Sequence, residues 1–202
     1  MAVRLTSAER RDRILASSMA LFAKRGFAAT KTKDLARAAG VSEAMVFKLF
    51  PDKESLYRAL IERKIAVAES VMPLSQIGES GAEPEAFLAG LAGVILTRIE
   101  DDPTFLRLLL FSALEDHPLA AEFDAARGDE VRKAIATYLR RQQVAGRLGR
   151  HDPEFAARAF LGLVCWFAQS RTVFREPKAR RIPREKLVRD VVSLFLEGME
   201  RK

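Results

Sequence analysis

Between Thr6 and Gly26 the apolar residues Ile14, Leu15, Leu21 and Phe22 recur at helical spacing and form one stripe. Thr6-x-x-Glu9 at its start reads as a capping box, and Gly26 is placed to end the helix as its C′ residue. Residues 1–5 precede it as a short arm carrying Arg4. The next stretch, Lys31–Phe50, has the pattern of a helix-turn-helix. Leu35 and Ala36 fall on the inner face of a short helix, Ala39 closes it, Gly40 makes the sharp turn and Val41 plugs the corner. Ser42 is placed to cap a second helix whose Val46, and Leu49 or Phe50, return to the same core. Glu43, Ala44, Phe47 and Lys48 then share the outward face. Pro51-Asp52-Lys53 starts a fourth helix that Leu56, Leu60, Ile61, Ile65 and Val67 carry towards Pro73.

Leu74 to Pro84 is rich in Gly, Ser and Glu and is expected to be a loop. Five helical segments follow, at about 85–100, 104–115, 119–145, 153–174 and 185–200. Asp101-Asp102-Pro103, Asp116-His117-Pro118 and His151-Asp152-Pro153 separate them, each pairing an acidic cap with a proline tolerated only in a first helical turn. No stretch shows sustained strand alternation. The expected class is all-α with about nine helices, divided into a helix-turn-helix domain over 1–52 and a second helical domain over 53–202.

Charge changes this picture from a fold to a partner. Of the net +7 carried by 202 residues, all lies in residues 1–64, where 14 Lys/Arg face 7 Asp/Glu; residues 65–202 hold 20 of each. A basic helix-turn-helix joined to a neutral, apolar remainder points to polyanion binding by the first part. The lone Cys165, in the apolar run LGLVCWFA, excludes an intramolecular disulfide and reads as a small buried hydrophobe. Met1–Ala20 lacks the apolar core of a signal peptide, and the longest apolar run, Ala159–Ala168, is too short to span a bilayer. A cytoplasmic protein with no membrane partner is expected. His117 and His151 have no ligand at metal spacing, and no Gly-rich phosphate loop or G-x-S-x-G is present, so neither cofactor, metal site nor enzyme is expected.

Arg13-Ile14-Leu15, Leu21-Phe22, Gly26-Phe27, Thr30, Asp34-Leu35-Ala36, Ala39-Gly40-Val41-Ser42, Phe47, Phe50-Pro51, Lys53-Glu54 and Leu56 together resemble the N-terminal region of the TetR family of bacterial transcription regulators. The likeness covers residues 10–60 and keeps its spacing across three helices. It implies that Lys33, Glu43, Ala44, Met45, Phe47 and Lys48 lie at or near double-stranded DNA, with Lys53 on a phosphate and Thr30, Lys31 and Ser42 completing the contact surface. The sequence departs from the family with Ala at 44, Phe at 47 where Tyr is usual, and Leu at 49. Losing those polar groups shifts backbone contact to Lys31, Lys33, Lys48, Lys53 and the arginine arm. Phe47 is then free to meet a thymine methyl and Glu43 to accept from a cytosine amino group.

The resemblance further implies a variable domain that binds an effector and dimerises through its last two helices. The helices at 85–100 and 104–115 are apolar over more than a stripe, suiting a pocket for an apolar or aromatic effector. Its expected lining is Phe87, Leu91, Phe105, Leu109, Phe111, Phe123, Tyr138, Trp166 and Gln169. Ala159 and Gly162 on one helix and Leu187, Val191, Leu194 and Phe195 on the last are expected to form a homodimer interface. The basic stretch Arg175–Arg184 between them is expected to be a solvated loop. The expected function is a transcriptional repressor that binds a palindromic operator as a dimer and releases it on binding effector. The alternatives are an all-α small-molecule carrier or protein-interaction module that no longer reads DNA, and an enzyme acting in the apolar domain, for which no acid, base or nucleophile set stands out.

Overall fold

A computed structural model describes residues 6–71 and 74–199, in helices joined by turns and short loops, with no strand among them. The helices are α1 (Ser7–Arg25), α2 (Thr32–Ala39), α3 (Glu43–Leu49), α4 (Lys53–Val71), α5 (Leu74–Gly78), α6 (Pro84–Asp101), α7 (Thr104–Leu114), α8 (Leu119–Phe123), α9 (Asp129–Val144), α10 (Pro153–Thr172), α11 (Pro177–Arg181) and α12 (Arg184–Gly198). A single π-helical turn, Asp124–Gly128, links α8 to α9. The arm with Arg4, and Pro73, lie outside the described residues.

The start and stop signals act as their chemistry requires. Thr6 and Glu9 close a reciprocal capping box, with Thr6 N–H donating to Glu9 at 2.7 Å and Glu9 N–H to Thr6 at 3.2 Å. Asp52 accepts from Ser55 N–H at 2.6 Å at the start of α4, and Asp152 accepts from Glu154 and Phe155 at the start of α10. Three expectations are corrected. Part of the expected loop after Pro73 is the short helix α5, and the basic stretch 175–184 contains α11, so it is not a plain loop. Asp116 is not a cap: it adopts a left-handed φ of 51°, and the N-cap of α8 is Pro118. The Ser112 hydroxyl accepts from Ala120 N–H instead, at 3.0 Å.

The described residues form two compact units, one of Met1–Ala68 with Thr104–Asp124, the other of Glu69–Pro103 with Ala125–Lys202. This partition differs from a division after residue 52. The first half of α4 supplies fully buried Leu56, Tyr57 and Leu60 to the core of Ile14, Phe22, Leu35, Val46 and Phe50, and α7 and α8 add buried Leu108 and Leu119. α7 packs along α1 and adds its apolar side chains to that core. Leu108→Ala is therefore expected to destabilise the unit that carries the helix-turn-helix by roughly 2–5 kcal/mol, the range for a fully buried leucine, read by urea denaturation.

In the second unit α9 and α10 pack together, α6 lies against α10 and α12, and α5 lies against α9. Its core holds Leu88, Leu96, Ile135, Tyr138, Leu139, Phe160, Val164, Leu187, Val191 and Phe195. One carboxylate organises its polar interior. Glu100 lies 2.7 Å from Arg171 Nε and 2.9 Å from Arg184 Nε, and Arg171 also donates to the carbonyls of Ala179 and Ile182. These bonds hold the turn around α11 while its basic side chains face solvent. Cys165 is half-buried, and burial raises its thiol pKa, which keeps it protonated and unreactive.

Candidate nucleic-acid interface

The turn between α2 and α3 has the left-handed glycine that the spacing predicts, Gly40 at φ 67° and ψ 37°. Gly40 and Val41 N–H groups return to the carbonyls of Arg37 and Ala36, closing the end of α2. Ser42 caps α3 by accepting from Met45 N–H at 3.2 Å, which leaves its own O–H free to donate. Val46 and Phe50 face inward at 2% and 1% exposure; Phe50, and not the half-buried Leu49, makes the return to the core. The outward face is therefore Glu43, Ala44, Phe47 and Lys48, all exposed, with Met45 at its edge.

Neighbouring charges fix this face. Arg11 of α1 places its guanidinium 4.4 Å over the Phe50 ring and donates to Leu49 O at 3.1 Å, pinning the C-terminal end of α3 to α1. Asp34 in the first turn of α2 holds Arg25 at 3.3 Å and Arg37 at 3.9 Å. Lys31 is the N-cap of α2 and makes no side-chain cap bond there, so it and Lys33 stand exposed beside that helix's N-terminal N–H groups. An exposed N-terminus flanked by two ammonium groups favours phosphate.

Two expected contact residues are placed elsewhere. Thr30 is buried at 1% exposure and its hydroxyl donates to Gly26 O at 2.6 Å. Lys53 is half-buried: its ammonium donates to the carbonyls of Phe27 at 2.8 Å and Thr30 at 3.2 Å and lies 3.9 Å from the Phe27 ring centroid. Burial lowers its pKa, with Glu54 and Glu115 opposing that shift. Both side chains build the turn that leads into α2. Arg11, Glu115 and His117, which position the same elements, carry no signal in the local sequence pattern.

The residues expected to line one effector pocket are split between the two units. Phe87, Leu91 and Tyr138 belong to the second core, with Phe87 stacked on Tyr138 at 3.7 Å. The Tyr138 hydroxyl donates to Ala82 O at 2.7 Å, and burial pushes its pKa up to about 12. Phe105, Leu109 and Phe123 pack in the first unit, where Phe105 meets Phe123 edge-on at 5.0 Å. Phe111 lies on α7 in that same unit, half-buried. Trp166 is 56% exposed against Phe174, and Gln169 is half-buried. The second unit has an open groove of about 340 Å³ lined by residues of α6 and α12, including Ala89, Gly93, Arg184 and Val188. Another of about 430 Å³ lies along Thr137, Arg140, Arg141, Val144 and Ala145 of α9 and its end. Neither uses the expected set.

Half of the expected dimer face is also internal. Leu187, Val191 and Phe195 are buried in the protomer's own core, Phe195 against Phe160 at 5.1 Å, because α12 must cover α6. Leu194 is 63% exposed, Gly162 is exposed and Ala159 half-buried.

Residues 14–60 match the model of bacterial regulatory proteins of the tetR family, and residues 98–198 match the C-terminal domain of AefR-like transcriptional repressors. The chain belongs to the TetR family. It is a helix-turn-helix DNA-binding transcriptional regulator. Among similar proteins, the HTH-type transcriptional repressor Rv1474c of Mycobacterium tuberculosis is 29% identical over 161 residues, 78% of this chain and 79% of that protein. The uncharacterised regulator YerO of Bacillus subtilis is 31% identical over 102 residues, half of this chain and 35% of that longer protein. The structure of the regulator FadR from Bacillus subtilis in complex with stearoyl-CoA superposes with a TM-score of 0.74 at 14% identity, covering 94% of this chain and 99% of that one. Within the family pattern, Phe47 is the informative departure. It is 46% exposed and has no hydroxyl. Phe47→Tyr is expected to tighten binding to many DNA sequences alike, measured by filter binding on unrelated duplexes. No gain would place the ring against a base.

Proposed function

We propose that the protein is a homodimeric one-component repressor that holds a palindromic operator and lets go when an acyl thioester or a comparable apolar or aromatic effector enters the second unit. The observation that carries the reading is the α3 face of Glu43, Phe47 and Lys48, rigidly capped and pinned, in a chain of this family. The excess of apolar side chains on α6, and a neighbouring fold that binds stearoyl-CoA, support the effector class. Binding an effector shifts the operator-bound arrangement only as far as the effector prefers the other one; about 5.5 kcal/mol of difference would reverse a 99:1 population. The effector acts by favouring an arrangement in which the fourth helices stand at an angle that no longer matches successive major grooves.

The reading places the protein in the cytoplasm and gives it no turnover chemistry. No helix among the described residues is long and apolar enough to cross a membrane, and no group of His, Cys, Asp and Glu there has the makings of a metal site. The test is selection of bound sequences from random duplex DNA, followed by titration of stearoyl-CoA and shorter acyl-CoAs. Enrichment of a palindrome that an acyl-CoA releases is the expected result; saturation with no change in operator affinity would remove that effector class.

For the dimer, the exposed apolar residues on α10, just past its end and on α12 support the contact surface: Phe155 at 72%, Trp166 at 56%, Phe174 at 62% and Leu194 at 63% exposure, with open space over Gly162. Aromatic anchors at the centre of an interface carry much of its affinity. Trp166→Ala is expected to raise the dimer dissociation constant about 30-fold or more, equivalent to ~2 kcal/mol, by sedimentation equilibrium. An unchanged constant would move the interface elsewhere.

A further inference from the structure

The turn 26–30, which delivers the chain into α2, is held from outside the helix-turn-helix. Phe27 N–H donates to Glu115 Oε2 at 2.7 Å, and Ala28 N–H approaches the same oxygen at 3.4 Å. The backbone here is not helical, so these N–H groups find no partner within α1 or α2. One turn earlier, Arg107 Nε donates to Ala23 O at 3.2 Å. Below the turn, the His117 ring lies 4.4 Å from Phe27 and 4.9 Å from Tyr57, with Nε2 3.1 Å from both Glu54 oxygens. Leu119 N–H donates to His117 Nδ1, which leaves the proton on Nε2 for Glu54.

Chain connectivity distinguishes these supports. Lys53, which also holds the turn, begins α4 directly after α3 and moves with the motif. Arg107, Glu115 and His117 sit on or just after α7, within a segment whose two ends, at Thr104 and Asp124, both continue into the second unit. A displacement of α7 reaches the turn through Glu115 without passing along α4. The bond is directional and short, so a shift of about 1 Å along α7 is enough to break it. Thr30 ends the turn and Lys31 follows as the N-cap of α2, so the turn sets where Lys31 and Lys33 stand.

We propose that Glu115 is a positioning residue for DNA binding, a latch whose carboxylate on the Phe27 and Ala28 N–H groups keeps the α1–α2 turn in its operator-binding form and whose release with α7 is a second route of induction. The proposal rests on the repressor reading. In the full-length protein, Glu115→Ala is expected to weaken binding to the selected operator about tenfold, the worth of a charge-assisted bond. Glu115→Gln, whose amide oxygen still accepts, recovers most of the loss. Amide exchange at Phe27 and Ala28 should slow on operator binding in the original protein and not in Glu115→Ala. Leu60→Ala, which loosens the same core without touching the turn, separates positioning from stability. If Glu115→Ala is folded and binds operator as before, or loses no more than Leu60→Ala, the latch is overturned. If the unaltered protein selects no DNA sequence, the repressor reading fails and the latch with it.

Discussion

Gly26→Ala is expected to remove ~4 kcal/mol from the stability of the first unit. Gly26 sits at φ 77° and ψ 178°, a region open essentially to glycine alone. Holding an alanine there costs about 2 kcal/mol in backbone strain. A Cβ at this position would also lie 2.1 Å from Glu115 Oε1 and 2.8 Å from its Cδ. The glutamate side chain can swing aside, but doing so leaves the Phe27 and Ala28 N–H groups without their acceptor, for about 2 kcal/mol more. Urea denaturation followed by far-UV circular dichroism measures the sum. A loss below ~1 kcal/mol would mean that the turn has a second, equally good conformation. The spacing predicts a C′ glycine here, and the glycine is present. Its ψ, however, is extended and not that of an ordinary left-handed helix end, because the chain must bring two N–H groups to face Glu115.

Operator binding is expected to collapse with salt. Lys31, Lys33 and Lys48 are exposed on the motif, and in a dimer they make six cations facing phosphate. At roughly 0.9 per neutralised phosphate, they alone give a slope near −5 in log K against log salt, a loss of about 10³ in affinity between 50 and 200 mM. Replacing all three by alanine should flatten the slope by about that amount and weaken binding at low salt by a similar factor. Fluorescence anisotropy across a salt series checks both. A slope unchanged by the triple substitution would assign phosphate contact to the arginines of α1. Lys53→Ala provides the contrast: with its ammonium committed to Phe27 O and Thr30 O, it should lower thermal stability more than it changes the slope.

How much of this is legible in the sequence depends on the range of the interaction that decides each feature. α1 to α3 and their caps follow from contacts three or four residues apart, and Thr6, Gly40, Ser42, Val46 and Asp152 stand in the roles that spacing assigns them. Phe50 against Leu49 is a choice between adjacent residues that only the packing of α4 settles. Lys53 and Thr30 look like contact residues from their position near the motif, yet a turn with bare carbonyls at Gly26, Phe27 and Thr30 claims both. The aromatic residues from Phe87 to Phe123 read as one apolar set because composition does not record that α7 and α8 leave the unit of α6 and join that of α1. Leu187, Val191 and Phe195 have the same apolar period as Leu194, and periodicity cannot say which side of α12 meets the protomer's own core.

That excursion of α7 and α8 also constrains how such a regulator can be rebuilt. The unit that holds the helix-turn-helix is drawn from two separated stretches of chain, so a fragment ending in α4 would leave Phe22, Tyr57 and Leu60 without Leu108 and Leu119 and should aggregate. A sensor taken from another regulator could not be grafted by a single crossover near residue 68. The graft would have to respect three junctions, at 68/69, 103/104 and 124/125, or bring a foreign α7 whose counterpart of Glu115 fits this Gly26. Recombination within this architecture is thereby restricted to partners that have kept the two stretches matched.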